Sequence, residues 1–278
     1  FIGGNFKSLT QRVDYSNDTQ NLVTVAPLSF SNQKGTGVSS LSHGYIAGGR
    51  TPDAISTVHR LDYGNDDTTP IPRGPLANAT SMQSGASTRN HGYLMGGGAG
   101  GPGKTLVERI DFSNDTATAV VKGPLTTALY VGGGAGNHNY GYIGGGYTPG
   151  VSTVNRVDYS NDTANAVAKG YLSAGKRYLK ASGNANFGYW AGGSVPPSVS
   201  TVDRLDYSSD TTNAVAKGNL PATIQKHSAT GNSNHGYLAG AESATTTYRV
   251  DYSNDTASPI TRGYLVESAE NNAAFSAA

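Results

Sequence analysis

The sequence predicts an all-β fold, a β-propeller of six blades with four antiparallel strands each, on three observations. The chain has 278 residues with 38 glycines, 17 tyrosines and only 14% charged residues, a composition typical of short strands joined by tight turns. An Arg-apolar-Asp-aromatic element recurs six times, at intervals of 45 to 49 residues. No long stretch has helical periodicity. A period of about 48 residues with four short strands per unit is typical of a propeller blade.

Each repeat contains recurring elements that predict its strands. The first strand resembles HSATG (227–231), the second GYLAG, the third TVDRLDY and the fourth NAVAKG. Alternation of side-chain character supports the third strand. The turn between the third and fourth strands reads SNDT or a close variant, and its Ser, Asn and Asp side chains hydrogen-bond to their own backbone in turns. The arginines of the third strand are Arg12, Arg60, Arg109, Arg156, Arg204 and Arg249.

The two ends of the chain are expected to share one blade. From the Leu that ends the fourth strand to the Tyr of the next second strand is 17 residues in five repeats. The same count from Leu265 places the last residues in an innermost strand, and FIGG at 1–4 matches the second strand that would follow. We therefore expect a single domain over 1–278, with a closing blade shared by 1–28 and 266–278. Pairing of the N-terminal strands with the C-terminal strand would close the ring and leave few exposed strand edges.

The paired glycines resemble those of a known repeat. GYIAGG (44–49) is followed by TVHRLDY (57–63), and this succession, which recurs around the chain, resembles the kelch repeat. The fourth strand departs from it, since NAVAKG stands where kelch repeats have Trp. The segment GGGYTPGVSTVNRVDYSNDTANAVAKGYL (144–172) resembles repeat proteins of marine cyanobacterial phages, which are labelled virion structural or tail-associated proteins. The resemblance implies a kelch-like propeller in a tail, fibre or capsid-decoration role.

Several classes of function are disfavoured. The net charge of +1 offers little neutralisation of nucleic-acid phosphates, and no apolar run is long enough for a membrane helix. The chain has no cysteine, so the Cys–Tyr cofactor of kelch-like oxidases is excluded. A sialidase-type arginine cluster is unsupported, because only Arg177 lies in a matching connection. We expect a non-enzymatic protein with no cofactor, no nucleic-acid partner and no membrane insertion.

Two patterns invite a metal interpretation. The Asp-x-Ser-x-Asp motif at 14–18 and its copies have oxygen ligands at calcium-loop spacing, but they lack the glycine and the distal acid of calcium loops. A hydrogen-bonded hairpin turn is the favoured alternative, and calcium binding stays open. His43, His91 and His235 occupy equivalent positions in different repeats, so a ring would hold them too far apart for a shared zinc ion. No metal site is predicted.

Charged residues on the strands are given structural interpretations. The Arg-x-Asp pair, as in Arg156 and Asp158, predicts blade-to-blade ion pairs or packing of Arg on Tyr. Cations near the end of the outermost strand are interpreted as protection against edge-to-edge aggregation. These cations are Arg73, Lys122, Lys169, Lys217 and Arg262.

The segments that vary between repeats are the candidates for function. The loops after the second strand and the connections into the innermost strand differ from repeat to repeat, and in a propeller both emerge on one face, around the channel mouth. Invariant strands carrying variable loops suit recognition, and tyrosine combines contact area with a hydrogen-bonding tip. Ordinary surface loops are the alternative interpretation. The candidate binding residues are Tyr130, Tyr147, Arg177, Tyr178, Lys180, Lys226 and His227.

The sequence thus favours a virion module in an extracellular particle, docking other virion proteins or contacting a host-surface glycan or protein, as an oligomer within a larger assembly. The first alternative is a secreted or cell-surface carbohydrate-binding propeller without a virion. The second is a hydrolase or lyase, which should place acids and bases inside the channel. A virion component should co-purify with particles, and a lectin should bind glycans as an isolated domain.

Overall fold

A computed structural model describes most of the chain, and within the described residues the protein is an all-β propeller of antiparallel sheets. The described ranges are 1–99, 101–147, 150–241 and 244–276. Outside them lie residues 100, 148–149 and 242–243 of the variable loops and residues 277–278 of the expected closing blade.

A two-stranded sheet comes first in the chain, made of β1 (Thr10–Arg12) and β2 (Val23–Val25). Five four-stranded sheets follow, and in each the strands pair in chain order from the innermost to the outermost. Their strands are β3 (Thr36–Ser39), β4 (His43–Ala47), β5 (Val58–Asp62), β6 (Ile71–Arg73); β7 (Ser84–Ser87), β8 (His91–Met95), β9 (Val107–Asp111), β10 (Val120–Val121); β11 (Gly133–Gly136), β12 (Tyr140–Gly144), β13 (Thr153–Asp158), β14 (Val167–Tyr171); β15 (Lys180–Gly183), β16 (Phe187–Ala191), β17 (Val202–Asp206), β18 (Val215–Ala216); β19 (Ser228–Gly231), β20 (His235–Ala239), β21 (Thr246–Asp251) and β22 (Ile260–Tyr264). Short 3-10 turns at Phe112–Asn114, Tyr159–Asn161 and Tyr207–Ser209 follow β9, β13 and β17.

The turn after the third strand of each sheet is the predicted hydrogen-bonded one. The Asp158 carboxylate accepts bonds from the backbone N–H of Ser160 at 2.9 Å and from its hydroxyl at 2.7 Å. Asp14, Asp111, Asp206 and Asp251 make the same pair of bonds in their own turns. An Asp side chain that bonds two residues ahead reverses the chain locally, so this residue ends the strand.

The expected count of six four-stranded blades is corrected, since five described sheets have four strands and the sheet of β1 and β2 has two. Beside β1, Ile2 forms isolated bridges with Thr10 and with Ala273. The Ile2–Ala273 pair exchanges backbone hydrogen bonds of 2.9 and 3.0 Å. The bridge does not extend into a strand because Gly3 and Gly4, at φ 64° and 90°, turn the backbone immediately after Ile2.

The core lies between the sheets. Within the described residues, buried apolar side chains form six clusters, each drawing on neighbouring parts of the ring. A typical cluster packs Tyr93 and Met95 of β8 against Ile143 of β12 and Val157 of β13. Tyr93 also stacks on Tyr159, with ring centroids 4.4 Å apart, a favourable offset arrangement. One cluster joins Ile2, Leu28 and Ala273 to Ile46 of β4.

A buried carboxylate joins each pair of neighbouring four-stranded sheets. Asp162, in the turn after β13, accepts bonds from Tyr93 at 2.9 Å and Arg109 at 2.8 Å, and pairs with Lys122 at 3.0 Å. All three donors belong to the preceding sheet. We call this arrangement the interblade joint. It recurs at Asp18, Asp115, Asp210 and Asp255, and at Asp66 both bonds come from Arg12.

The joint confirms the predicted blade-to-blade ion pairs and changes their partner. Arg156 bonds to Asp210 of the next sheet rather than to Asp158, whose carboxylate is engaged by its own turn. Packing of Arg on an aromatic ring is also present, with the Arg156 guanidinium 4.2 Å from the Tyr140 ring centroid. The interpretation of the outer-strand cations as edge protection was wrong, because the Lys122 side chain is only 10% exposed and lies within a joint.

Candidate recognition face

A ring of six residues surrounds the channel mouth. Each has a positive φ between 54° and 61° and donates its backbone N–H to the carbonyl of the equivalent residue in the preceding unit, at 2.7 to 3.1 Å. The bond from Lys34 to the Asn271 carbonyl, at 2.7 Å, completes the circle. We call this the mouth ring. Its members are Lys34, Met82, Val131, Tyr178, Lys226 and Asn271.

The mouth ring holds its members in a conformation that they disfavour as single residues. Non-glycine residues rarely adopt left-handed dihedrals, and a β-branched residue such as Val131 does so least readily. The continuous circle of backbone bonds compensates for this cost, and it fixes where each variable connection enters its innermost strand. The ring therefore sets the position of the residues that precede it, including Tyr130 and Arg177.

Buried polar residues also anchor the variable connections, and these residues vary with them. The position before the third-strand arginine is Glu108 in one sheet and Asn155 in the next. Glu108 accepts a bond from the backbone N–H of Asn78 at 3.0 Å, and Asn155 accepts one from the N–H of Thr126 at 3.1 Å. In the following sheet the equivalent Asp203 pairs with Lys176 at 2.7 Å. These three connections thus have different acceptors in the core.

Five of the seven predicted contact residues lie together on the mouth face. The rings of Tyr130 and Tyr147 meet edge to face at 5.6 Å. The Arg177 guanidinium lies 4.9 Å from the Tyr147 ring centroid and 5.9 Å from that of Tyr178, and the Lys226 ammonium lies 5.8 Å from the Tyr178 ring. These distances are within reach of cation–π attraction. We call Tyr130, Tyr147, Arg177, Tyr178 and Lys226 the mouth cluster.

The fold explains why these side chains meet. The glycine pair Gly145–Gly146, with φ of 69° and 121°, turns the chain after β12, and the Tyr147 N–H then donates to the Tyr130 carbonyl at 3.0 Å. In the next unit Arg177 and Ser194 exchange backbone bonds of 3.1 and 2.7 Å in the same way. The loop after each second strand is thereby held against the preceding connection.

The electrostatics of the mouth are those of a cationic surface. Burial is the main reason that the pKa of Lys34 is lowered, and the charges of Arg50 and Lys226 lower it further. Burial is the main reason that the pKa of Tyr130 is raised, and electrostatic interaction with the phenol groups of Tyr178 and Tyr147 raises it further. Of the acids at the mouth, Glu270 pairs with Lys226 at 3.5 Å. Aromatic edges beside Arg and Lys can hold a ligand that has flat apolar faces and negative charge.

The other two predicted contact residues lie below the surface. His227 follows the mouth-ring residue Lys226, is fully buried, and has no hydrogen-bond partner on either ring nitrogen. Burial, and then the charge of Lys180, lowers the pKa of His227 to about 3. Lys180 faces the central channel. The recognition hypothesis therefore rests on the mouth cluster, and sequence reasoning missed Lys34 and Asn271, although the repeat spacing marks both positions.

Metal sites, membrane helices and related proteins are the remaining points for the described chain. No group of three or more His, Asp or Glu side chains in the described ranges is placed to hold a metal ion. The described residues include no helix with the length and apolar character needed to cross a membrane. No protein-family model matches the chain, and no curated protein matches it significantly.

Proposed function

We propose that this protein is a non-enzymatic recognition module that contacts a host surface or a neighbouring protein through the mouth face. The observation that carries the proposal is the mouth cluster, which is built from segments that differ between repeats. The turns at the other end of the strands have a different role. Their carboxylates are engaged by their own backbone, as in Asp158, or by an interblade joint, as in Asp162.

We propose further that residues 1–28 and 266–276 form a sixth, smaller blade. The bridge between Ile2 and Ala273, their apolar cluster with Ile46, and the bond that completes the mouth ring support this arrangement. A closed circle would keep the six mouth-ring residues in register and give the recognition face a fixed shape. The kelch resemblance belongs to this proposal as well.

The chemistry of the mouth cluster suits an acidic saccharide. Tyrosine rings present flat faces to the apolar side of a sugar, and their hydroxyls bond to its hydroxyl groups. Arg177 offers a fork of donors that matches a carboxylate, and Lys226 adds a second cation. Tyr147 is 36% exposed and stands at the outside of the cluster. A host-surface glycan bearing carboxylates is therefore the ligand we favour, with docking to another protein as the second candidate.

A glycan array with the purified protein tests the recognition role. Arg177→Ala and Tyr147→Ala should each weaken binding of acidic glycans by about tenfold or more, since each removes a charged or aromatic contact. Tyr264→Ala is the matched control, because Tyr264 is 47% exposed on an outermost strand and lies outside the cluster. Equal binding by all three variants, or no glycan binding at all, would contradict the saccharide role.

The setting of the protein needs a separate experiment. The resemblance to cyanobacterial phage repeat proteins favours a tail, fibre or capsid-decoration protein in a virion. Quantitative mass spectrometry of purified particles should then find the chain at a fixed copy number, and density mapping should place the mouth face outward. Recovery of the chain only as a secreted or cell-surface protein would favour a free carbohydrate-binding propeller instead.

A further inference from the structure

Among the innermost strands of the five four-stranded sheets, only one begins with a charged residue, and that residue is Lys180. It is the first residue of β15, an innermost strand, just beyond the mouth ring. The equivalent residues of the other innermost strands are Thr36, Ser84, Gly133 and Ser228. The lysine therefore does not follow from the repeat, and neither the interblade joints nor the mouth cluster uses it.

The Lys180 side chain lines a cavity in the channel. The cavity has a volume of about 60 Å³, and its wall includes Ser84, Gln83, Ser228 and Asn272. Lys180 also lines the narrower opening at the mouth ring, where the free volume is about 10 Å³. A cavity of this size holds a few water molecules or a small ion. A sugar ring bound at the mouth cluster could not pass through the opening.

Three hydrogen-bond donors around this cavity lack a partner. The Lys180 side chain is withdrawn from bulk water, which lowers its pKa, but it stays partly accessible from the channel. It makes no ion pair or hydrogen bond with a described residue. The Ser84 hydroxyl and the Asn272 amide nitrogen are also buried without a partner. The lining residues include no Asp or Glu. Buried cations without a counter-charge are costly, so a negative ion would complete the arrangement.

The approach to the cavity favours anions. Lys34 and Lys226 stand in the mouth ring directly above it, and Arg50 is close enough to lower the pKa of Lys34 after burial has done so. Glu270 is engaged with Lys226. Cations around a narrow opening raise the local concentration of negative ions.

We propose that the channel binds one small oxyanion of the phosphate, sulfate or carboxylate class, with Lys180 as its counter-charge and Ser84 and Asn272 as hydrogen-bond donors. Burial lowers the pKa of Lys180 to about 8, so the amine is charged at pH 7. The site lies below the mouth cluster and shares with it only the approach past Tyr178 and Lys226, so a failure of glycan recognition leaves it standing.

Isothermal titration with inorganic phosphate at pH 7 and constant ionic strength tests the site. We expect saturable binding of one ion per chain. Lys180→Met should raise the dissociation constant for phosphate about tenfold or more, because it removes the charged partner. Lys104→Met is the control, since Lys104 bonds to the Ala79 carbonyl and the Thr80 hydroxyl outside the channel and should leave the constant unchanged.

Two results would overturn the proposal. One is the absence of saturable binding by the unsubstituted protein. The other is phosphate binding by Lys180→Met that is as tight as that of the unsubstituted protein. Should Lys180→Met fail to fold, Ser84→Ala serves in its place, because it removes a donor and keeps the charge. It should weaken phosphate binding several-fold, and an unchanged constant would count against the site.

Discussion

Replacing Asp162 with asparagine tests how much an interblade joint stabilises the propeller. The Asp162 side chain is 7% exposed. It accepts hydrogen bonds from Tyr93 and Arg109 and forms an ion pair with Lys122, all from the neighbouring sheet. Asparagine keeps the shape of the side chain. It removes the negative charge, and it turns one acceptor oxygen into an NH2 group that faces a cation.

The size of the effect follows from the burial of the partners. A hydrogen bond to a charged group contributes about 1.5–3 kcal/mol, and breaking a buried ion pair costs about 3–5 kcal/mol. The Arg109 side chain is 25% exposed and that of Lys122 is 10% exposed, so water partly solvates the cations left behind. We therefore expect the free energy of unfolding to fall by about 2–3 kcal/mol.

Urea unfolding at pH 7, followed by circular dichroism and by the fluorescence of the buried Trp190, measures this loss. Asp158→Asn is the matched control. Asp158 lies in the same turn and caps Ser160, and because asparagine caps a turn as well as aspartate, its effect should stay within about 0.5 kcal/mol. Equal losses in the two variants would refute a stabilising role for the joint. Tyr93→Phe, combined with Asp162→Asn, then gives the coupling between the two partners.

Two further outcomes are expected. Gly85→Ala would place a methyl group 2.2 Å from the Gly37 carbonyl oxygen of the adjacent innermost strand and should lower the free energy of unfolding by about 2 kcal/mol or more. Gly101→Ala, whose new methyl group meets nothing within 4 Å, should leave that free energy unchanged in the same urea unfolding experiment. Burial alone would raise the pKa of Asp162 and Asp255, but hydrogen bonds from the neighbouring sheet outweigh it and hold both below the ordinary value of 3.8. Their contribution is therefore present above about pH 4 and lost as the pH falls below it. The melting temperature should drop in that range and Asp162→Asn should flatten the drop, whereas an unchanged pH profile would contradict the cause.

The repeat predicted the strands and turns because their signals are local. Alternation in the segment 153–159 and an Asp two residues before a Ser act within a few residues of the chain. The partner of Arg156 could not be predicted in this way. Asp158 lies two residues along the same strand, whereas Asp210 lies 54 residues away in the turn of the next repeat. Only the packing of one sheet against the next brings Asp210 to the arginine, while Asp158 is engaged by its own turn.

The candidate site shows the same division. The structure brings five residues of the variable segments together on one face. Lys226 and His227 are neighbours in sequence, yet the Lys226 side chain lies at the mouth and His227 is fully buried. The left-handed backbone at Lys226 separates them, and no residue-type signal announces that conformation at a lysine. The sequence also did not show that Ile2 forms only an isolated bridge. Residues 1–4 resemble the end of a second strand, with an apolar residue before a glycine pair, although no full strand forms there.

The interblade joint bears on how such a chain can change over generations. Each full repeat offers three donors to the next repeat and one carboxylate to the previous one, so its two edges are the same as those of its neighbours. A repeat that is duplicated or exchanged by recombination would find matching partners on both sides and would bring a new loop to the mouth. The contact between Arg12 and Asp66 is the exception, because this single ion pair stands where the other joints have three donors. Exchange of whole repeats is therefore a route to new loops at the mouth that keeps the interblade joints.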